Sequence, residues 1–202
     1  QSKWRPELKM AHILPHWTWP DRVGKITPVH VFTSGDEAEL FLNGKSIGKR
    51  KKGEYEYRLR WDDVVYEPGE LKVVAYKNGE EWATDGRKTA GEAAKLEIEA
   101  DRSSINADGK DLSFITVRVL DKDNVPVPRA DHLITFEVSG PGEIVATDNG
   151  DPTSFAPFPS PERKVFNGLA LVIIRSNGDE GEIKISAKAP GLAEAQIVVK
   201  GR

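Results

Sequence analysis

The sequence has no cysteine. Disulfides, thiolate nucleophiles and thiolate metal sites are therefore excluded, and cysteine usage gives no clue to the redox compartment. No apolar run approaches the ~20 residues needed to cross a bilayer, so membrane insertion is not expected. No segment has the pattern of a signal peptide, and a chain opening at Gln1-Ser2 without an initiator methionine reads as a piece of something longer. Neither sign of charge dominates. Lys+Arg total 29 against Asp+Glu 32, a net charge of −3 with the signs interspersed, and this leaves no footprint for nucleic acid or a membrane surface. One short basic run, Lys49-Arg50-Lys51-Lys52, reads as a solvated loop. Helical periodicity is missing as well, and no helix of two turns or more is evident. No nucleophile elbow, catalytic triad or phosphate-cradling glycine pattern occurs, so no cofactor is expected.

What is present is β structure. At 202 residues with 38% hydrophobic and 30% charged residues, the chain can bury one or two real cores. Leu40 and Leu42 alternate with Glu39 and Phe41 up to Asn43-Gly44. That pair tolerates the positive φ angles of a type I′ hairpin turn, which would set Leu42 opposite Lys45 and Leu40 opposite Ile47. Asn78-Gly79 offers a second such turn, pairing Lys77 with Glu80 and Ala75 with Trp82. Tyr55, Tyr57, Leu59 and Trp61 alternate with charged residues as one strand with a wet face. Pro68-Gly69 suits the centre of a type II turn. A period-free stretch of small residues around Gly91 reads as a boundary, giving domains 1–91 and 92–202. Alternation restarts at Leu96 and Ile98. It continues through Ile115, Val117 and Val119, through Ile134, Phe136 and Val138, and through Ile183 and Ile185. Residues 169–174 are apolar on both faces, as a central strand should be. Strands at roughly 8–12-residue spacing between turn signals predict an all-β chain of two tandem immunoglobulin-like β-sandwich domains. Residues 1–28 stand apart, irregular and rich in Trp4, Pro6, His12, Pro15, His16, Trp17, Trp19 and Pro20, with only residues 10–14 suited to a short strand.

Two stretches carry a resemblance. His12 to Pro20, followed by Glu39 to Gly48, resembles the segment just after the catalytic barrel in bacterial β-galactosidases of glycoside hydrolase family 2. Ala107-Asp108-Gly109, residues 148–154 and Phe166-Asn167-Gly168-Leu169 are similar to the last immunoglobulin-like domain of the same enzymes. The second half is also loosely similar to immunoglobulin-like repeats of bacterial invasins. The resemblance implies a non-catalytic, accessory C-terminal region of a β-galactosidase-type enzyme. It would pack on a catalytic barrel of the same parent polypeptide, shape the mouth of its cleft, or support oligomerisation. It implies a periplasmic or exported parent, too. The family's two catalytic glutamates lie on a barrel of about 250 residues of alternating strand and helix, and they map to no position here. Glycoside hydrolysis needs two carboxylates about 5–10 Å apart, and no pair in this chain can be nominated.

Among candidate sites, His16, Trp17 and Trp19 lead. Aromatic faces stack on the apolar faces of sugars and an imidazole can donate to a hydroxyl, so carbohydrate is a candidate partner. The alternative is a structural seam packed into the first sandwich. His12, His16 and His30 could in principle ligate a metal, but Pro15 opposes the helix that would align the first two, and no metal site is expected. Asp148-Asn149-Gly150-Asp151 crowds oxygens around a glycine as calcium loops do, although Asx turns are the commoner use of such a pattern. The proline-rich loop after Asp151 is long enough to dock a partner or to cover one sandwich end. Competing readings of the whole chain are a carbohydrate-binding module and a cell-surface adhesin or spacer.

Overall fold

Alternation of buried and exposed side chains builds nearly every element of the computed structural model, which describes residues 8–202. Trp4 and Pro6 lie outside the described residues. The chain divides into two units, Gln1–Thr89 and Ala90–Arg202.

The first unit sets two sheets around one core. One sheet is β1 (Ala11–Ile13), β2 (Val29–Thr33) and β5 (Arg58–Trp61), ordered β1-β2-β5. The other is β3 (Glu37–Leu42), β4 (Lys45–Lys51), β6 (Glu70–Lys77) and β7 (Glu80–Lys88), ordered β4-β3-β6-β7. Val29, Val31, Leu59 and Trp61 of the first sheet meet Ala38, Leu40, Leu71 and Val73 of the second. Each such large apolar side chain contributes about 1.5–3 kcal/mol through burial. The only helical turn among the described residues is a three-residue 3₁₀ turn at Pro20–Arg22, with Pro at its first position.

Both Asn-Gly turns form as expected, with positive φ at Asn43 and Gly44 and at Asn78 and Gly79. The pairing beyond them differs from the simple two-residue register. Leu42 opposes Lys45, but Leu40 opposes Gly48, so Ile47 is an extra residue in a bulge. Ile47 is consequently exposed rather than in the core with Leu40. The second hairpin does the same thing at the same offset: Lys77 opposes Glu80, Ala75 opposes Ala83, and Trp82 is the extra residue. A bulge raises the local twist of a two-stranded ribbon. The expected strand over Tyr55–Trp61 is also shorter. Gly53 and Glu56 form a turn through a backbone bond and the Glu56 carboxylate, which leaves Tyr55 and Tyr57 exposed and starts the strand at Arg58. The basic run is not a loop. It runs through Lys51 on the edge strand β4.

The second unit is also a two-sheet sandwich. Its strands are β8 (Ala93–Ala100), β9 (Ser104–Ile105), β10 (Leu112–Asp121), β11 (Leu133–Ser139), β12 (Gly142–Asp148), β13 (Glu162–Lys164), β14 (Leu169–Ser176), β15 (Gly181–Lys188) and β16 (Ala195–Gly201). They are ordered β12-β14-β10-β8 and β13-β11-β15-β16-β9. β14 is central, as its doubly apolar sequence requires. Ile115, Val117, Val172 and Ile174 pack against Ile134, Phe136, Ile183 and Ile185. The strand pairings are antiparallel except the short parallel contact of β9 with β16, and an isolated parallel bridge joins Lys95 to Ala193.

One polar device joins the first hairpin to a distant turn. The Asn43 side chain accepts from the Glu70 amide at 2.9 Å and donates to the Pro68 carbonyl at 3.1 Å. Gly69, at φ +134°, must be glycine here, because a Cβ would sit 1.8 Å from Asn43 Oδ1. Asn43→Gly keeps the positive φ and removes only the side chain. It should destabilise the first unit by about 1–2 kcal/mol, read as a lower urea midpoint with an unchanged slope.

Candidate functional site

The Trp-rich segment lies against the first sandwich at residues 16–19. Trp17 enters the core at 3% exposure. Its indole N–H donates to the Glu67 carbonyl at 3.0 Å, and its ring meets Tyr66 with centroids 4.8 Å apart. The Tyr66 hydroxyl accepts from the Trp19 amide at 3.0 Å and reaches the Trp17 carbonyl at 3.3 Å. The Thr89 hydroxyl donates to the same carbonyl and accepts from the Gly69 amide. His16 and Trp19 stay half-buried at the surface, with ring centroids 4.1 Å apart, and His16 Nδ1 accepts from the Thr18 amide. The three residues therefore separate. His16 and Trp19 form a tilted stack with solvent access, and Trp17 is the bolt beneath it.

Asp85 on β7 closes this side of the sandwich. Its Oδ2 accepts from the Ile13 amide at 2.8 Å and lies 3.4 Å from His12 Nδ1, while its Oδ1 accepts from Arg87 at 2.6 Å and from the Gly86 amide. Burial pushes this carboxyl up, but the Ile13 amide, Arg87 and the Gly86 amide together hold it below the ordinary carboxylate value. No periodicity rule points to Asp85, because β1 and β7 belong to different sheets.

His30 is on the outer face of β2 opposite Arg60, away from His16. Among the described residues, no three His, Cys, Asp or Glu side chains group as a metal site. The loop at residues 148–151 uses its oxygens internally. Asp148 Oδ1 accepts from the amides of Asn149 and Gly150, Asn149 Oδ1 from that of Asp151, and Asp151 Oδ1 from both the amide and the hydroxyl of Thr153. These are Asx turns.

Arg163, which no sequence pattern singles out, is 2% exposed. Its guanidinium donates to the carbonyls of Thr147, Ala156 and Pro157 and to the Thr147 hydroxyl. The always-charged group thus rests on backbone dipoles, and it fixes the proline-rich loop whose tip presents Phe155 at 98% exposure. A lone Arg beside a proline-rich stretch has no sequence pattern that distinguishes it from a surface Arg.

The chain is thus two β-sandwich units carrying a surface His–Trp stack and a loop held by Arg163. Residues 96–198 match the family model of glycoside hydrolase family 2 C-terminal domain 5, and residues 24–83 match a domain of unknown function. The beta-galactosidase BoGH2A of Bacteroides ovatus is 39% identical over 98% of this chain, which spans 23% of that protein. A solved glycosyl hydrolase family 2 member from Bacteroides cellulosilyticus superposes with a TM-score of 0.89 at 35% identity, over 94% of this chain and 24% of that one. A solved beta-glucuronidase of the same family gives 0.86 at 28% identity, over 98% of this chain and 20% of that one. The chain belongs to glycoside hydrolase family 2. It corresponds to a C-terminal region of those proteins, spans about a quarter of their length or less, and is part of a larger parent protein.

Two outcomes follow from this geometry. Asp85 has a depressed folded-state pKa, so its stabilisation is present above the unfolded value of about 3.9 and lost as pH falls through the lower folded value. The urea-midpoint gap between wild type and Asp85→Asn should be widest above about pH 5 and shrink below about pH 4; a pH-independent gap would contradict this. Arg163→Leu leaves several carbonyls without a donor. It should cost the second unit about 2–4 kcal/mol and speed amide exchange in the loop at residues 149–161.

Proposed function

We propose that this chain is the non-catalytic accessory region of a family 2 glycoside hydrolase acting on β-galactosides. Its work is to pack on a catalytic barrel of the same polypeptide and to shape the mouth of that barrel's cleft. The carrying observation is the match to BoGH2A across 98% of this chain but only 23% of that beta-galactosidase. The His16–Trp19 stack is the surface best suited to the cleft mouth, because buried Trp17 and the Tyr66 hydroxyl fix its backbone. The parent is proposed to be periplasmic or exported, a reading supported by the family resemblance alone and checked by cell fractionation.

The same stack supports a second reading, in which it binds sugar without help from the barrel. Trp19 offers a half-exposed ring and His16 a polar neighbour. Calorimetry of the isolated chain with galactose, lactose and longer galactans separates the two. Heat that disappears in Trp19→Ala favours the independent platform, and no heat with any of them eliminates it.

In the parent enzyme, Trp19→Ala should raise KM for nitrophenyl galactoside about three- to tenfold with kcat within about twofold, the pattern of a lost binding contact. The isolated chain should not turn over this substrate. Turnover that persists across independent preparations would overturn the accessory reading.

A further inference from the structure

The side of the first unit opposite Asp85 is open. β4 and β5 are edge strands of its two sheets, and a groove of about 740 Å³ runs between them. Beneath it, the buried Trp61 indole joins the two strands by donating to the Gly48 carbonyl at 3.2 Å. The lining carries five cations, Lys49, Arg50, Lys51, Arg58 and Arg60, against two carboxylates, Glu56 and Asp62. In a chain of net charge −3, this is a local reversal of sign.

Two of these cations are already engaged. Lys49 pairs with Glu37 and Arg60 with Asp62, each at 2.8 Å. Arg50 reaches Asp63 only at 3.9 Å and lies over the Trp61 ring. Among the described residues, no carboxylate is within ion-pair distance of Arg58 or Lys51. Arg58 sits 5.3 Å over the ring of Tyr57, which is 66% exposed and itself stacks on Phe32. Phe32 opposes Arg58 and His30 opposes Arg60 across β2 and β5. The same field reaches His30, whose protonation is disfavoured by its burial and then by Arg58 and Arg60.

Lysines alone would protect an exposed edge strand from pairing with another chain. Guanidinium groups beside an aromatic shelf do more. The planar fork takes a carboxylate or sulfate through two parallel hydrogen bonds, and a tyrosine face stacks on the apolar face of a pyranose. We propose that this groove binds an anionic saccharide, with the lining residues Arg58 and Arg50 on its uronate carboxylate or sulfate ester and the exposed Tyr57, which lies outside the lining between Glu56 and Arg58, against the sugar ring. The site gives the accessory region a role in holding acidic glycan near the parent enzyme, and it rests on the reading of this chain as part of a glycoside hydrolase.

Titration calorimetry of the chain at low salt tests it with four probes: tetragalacturonate, a sulfated galactan tetrasaccharide, neutral galactotetraose, and a single-stranded oligonucleotide of matched charge. At least one acidic saccharide should bind with Kd below about 1 mM, and the uronate and sulfate arms identify which anion is taken. The neutral tetrasaccharide should not bind. Tyr57→Ala and Arg58→Ala should each weaken binding at least about fivefold, Arg58→Lys should recover only part of the loss, and Lys122→Ala in the other unit should change nothing. Both substituted side chains are at the surface, so circular dichroism should show a wild-type fold. Silence with both acidic saccharides would overturn the proposal. So would unchanged affinity in the Tyr57 and Arg58 variants, or oligonucleotide binding as tight as saccharide binding and insensitive to Tyr57→Ala. Because the site is read on the isolated chain, its failure leaves the accessory reading intact, and a failure of that reading leaves this binding measurable.

Discussion

The first unit depends on a knot of two hydroxyl groups, those of Tyr66 and Thr89, 3.3 Å apart. Between them they fix the Trp17 carbonyl, the Trp19 amide and the Gly69 amide. Three segments distant in sequence meet there: the Trp-rich stretch, the turn at residues 67–70 and the end of β7. The same turn is gripped by the Asn43 side chain, which carries the knot through to the first hairpin. Each bond is worth only about 1 kcal/mol net, but the groups are buried or half-buried, and leaving any one unpaired costs more than the bond returns. An irregular, proline-rich segment that makes only a three-residue strand is held in this way without a long ladder of its own.

The knot decides what the aromatic segment can do. Trp17 is committed to the core, and its commitment is what lets His16 and Trp19 remain at the surface in one arrangement. Asp85 adds the second clamp by accepting from Ile13 and pairing with Arg87. In the second unit Arg163 plays a comparable part, ordering a loop of four prolines with carbonyl contacts instead of a carboxylate partner. Both units tie irregular surface segments to their sandwiches through side-chain hydrogen bonds.

Local chemistry that is short in range was legible before the structure. Asn43-Gly44 and Asn78-Gly79 turned as their tolerance of positive φ requires, and alternation located the cores of both sandwiches through Leu40, Ile115 and Ile185. What was not legible lay one step beyond the turns. The bulges at Ile47 and Trp82 lie just past the turn residues, and no pair of residues announces them. The exposed Tyr57 read as the inner face of a strand, because a turn at Gly53–Glu56 looks like alternation when only polarity is counted. Of the candidate site, the sequence shows only that His16, Trp17 and Trp19 share one short segment; the stacking of His16 on Trp19 is a finding of the structure. The burial of Trp17 was not visible either, since it depends on Tyr66, Glu67 and Thr89. The basic run lies on the edge strand β4, where Lys49, Arg50 and Lys51 share a groove with Arg58, a juxtaposition that sequence spacing does not show.

If this region docks on the catalytic remainder of its parent, as proposed, the two parts should associate when made separately. The most direct measurement is association between the isolated chain and the separately produced remainder, followed by sedimentation velocity and by amide exchange. A complex with Kd in or below the micromolar range, about −8 kcal/mol, is expected, with added protection concentrated in residues 16–19. Absence of a complex at about 100 μM of each partner, together with full stability and activity of the remainder alone, would contradict it.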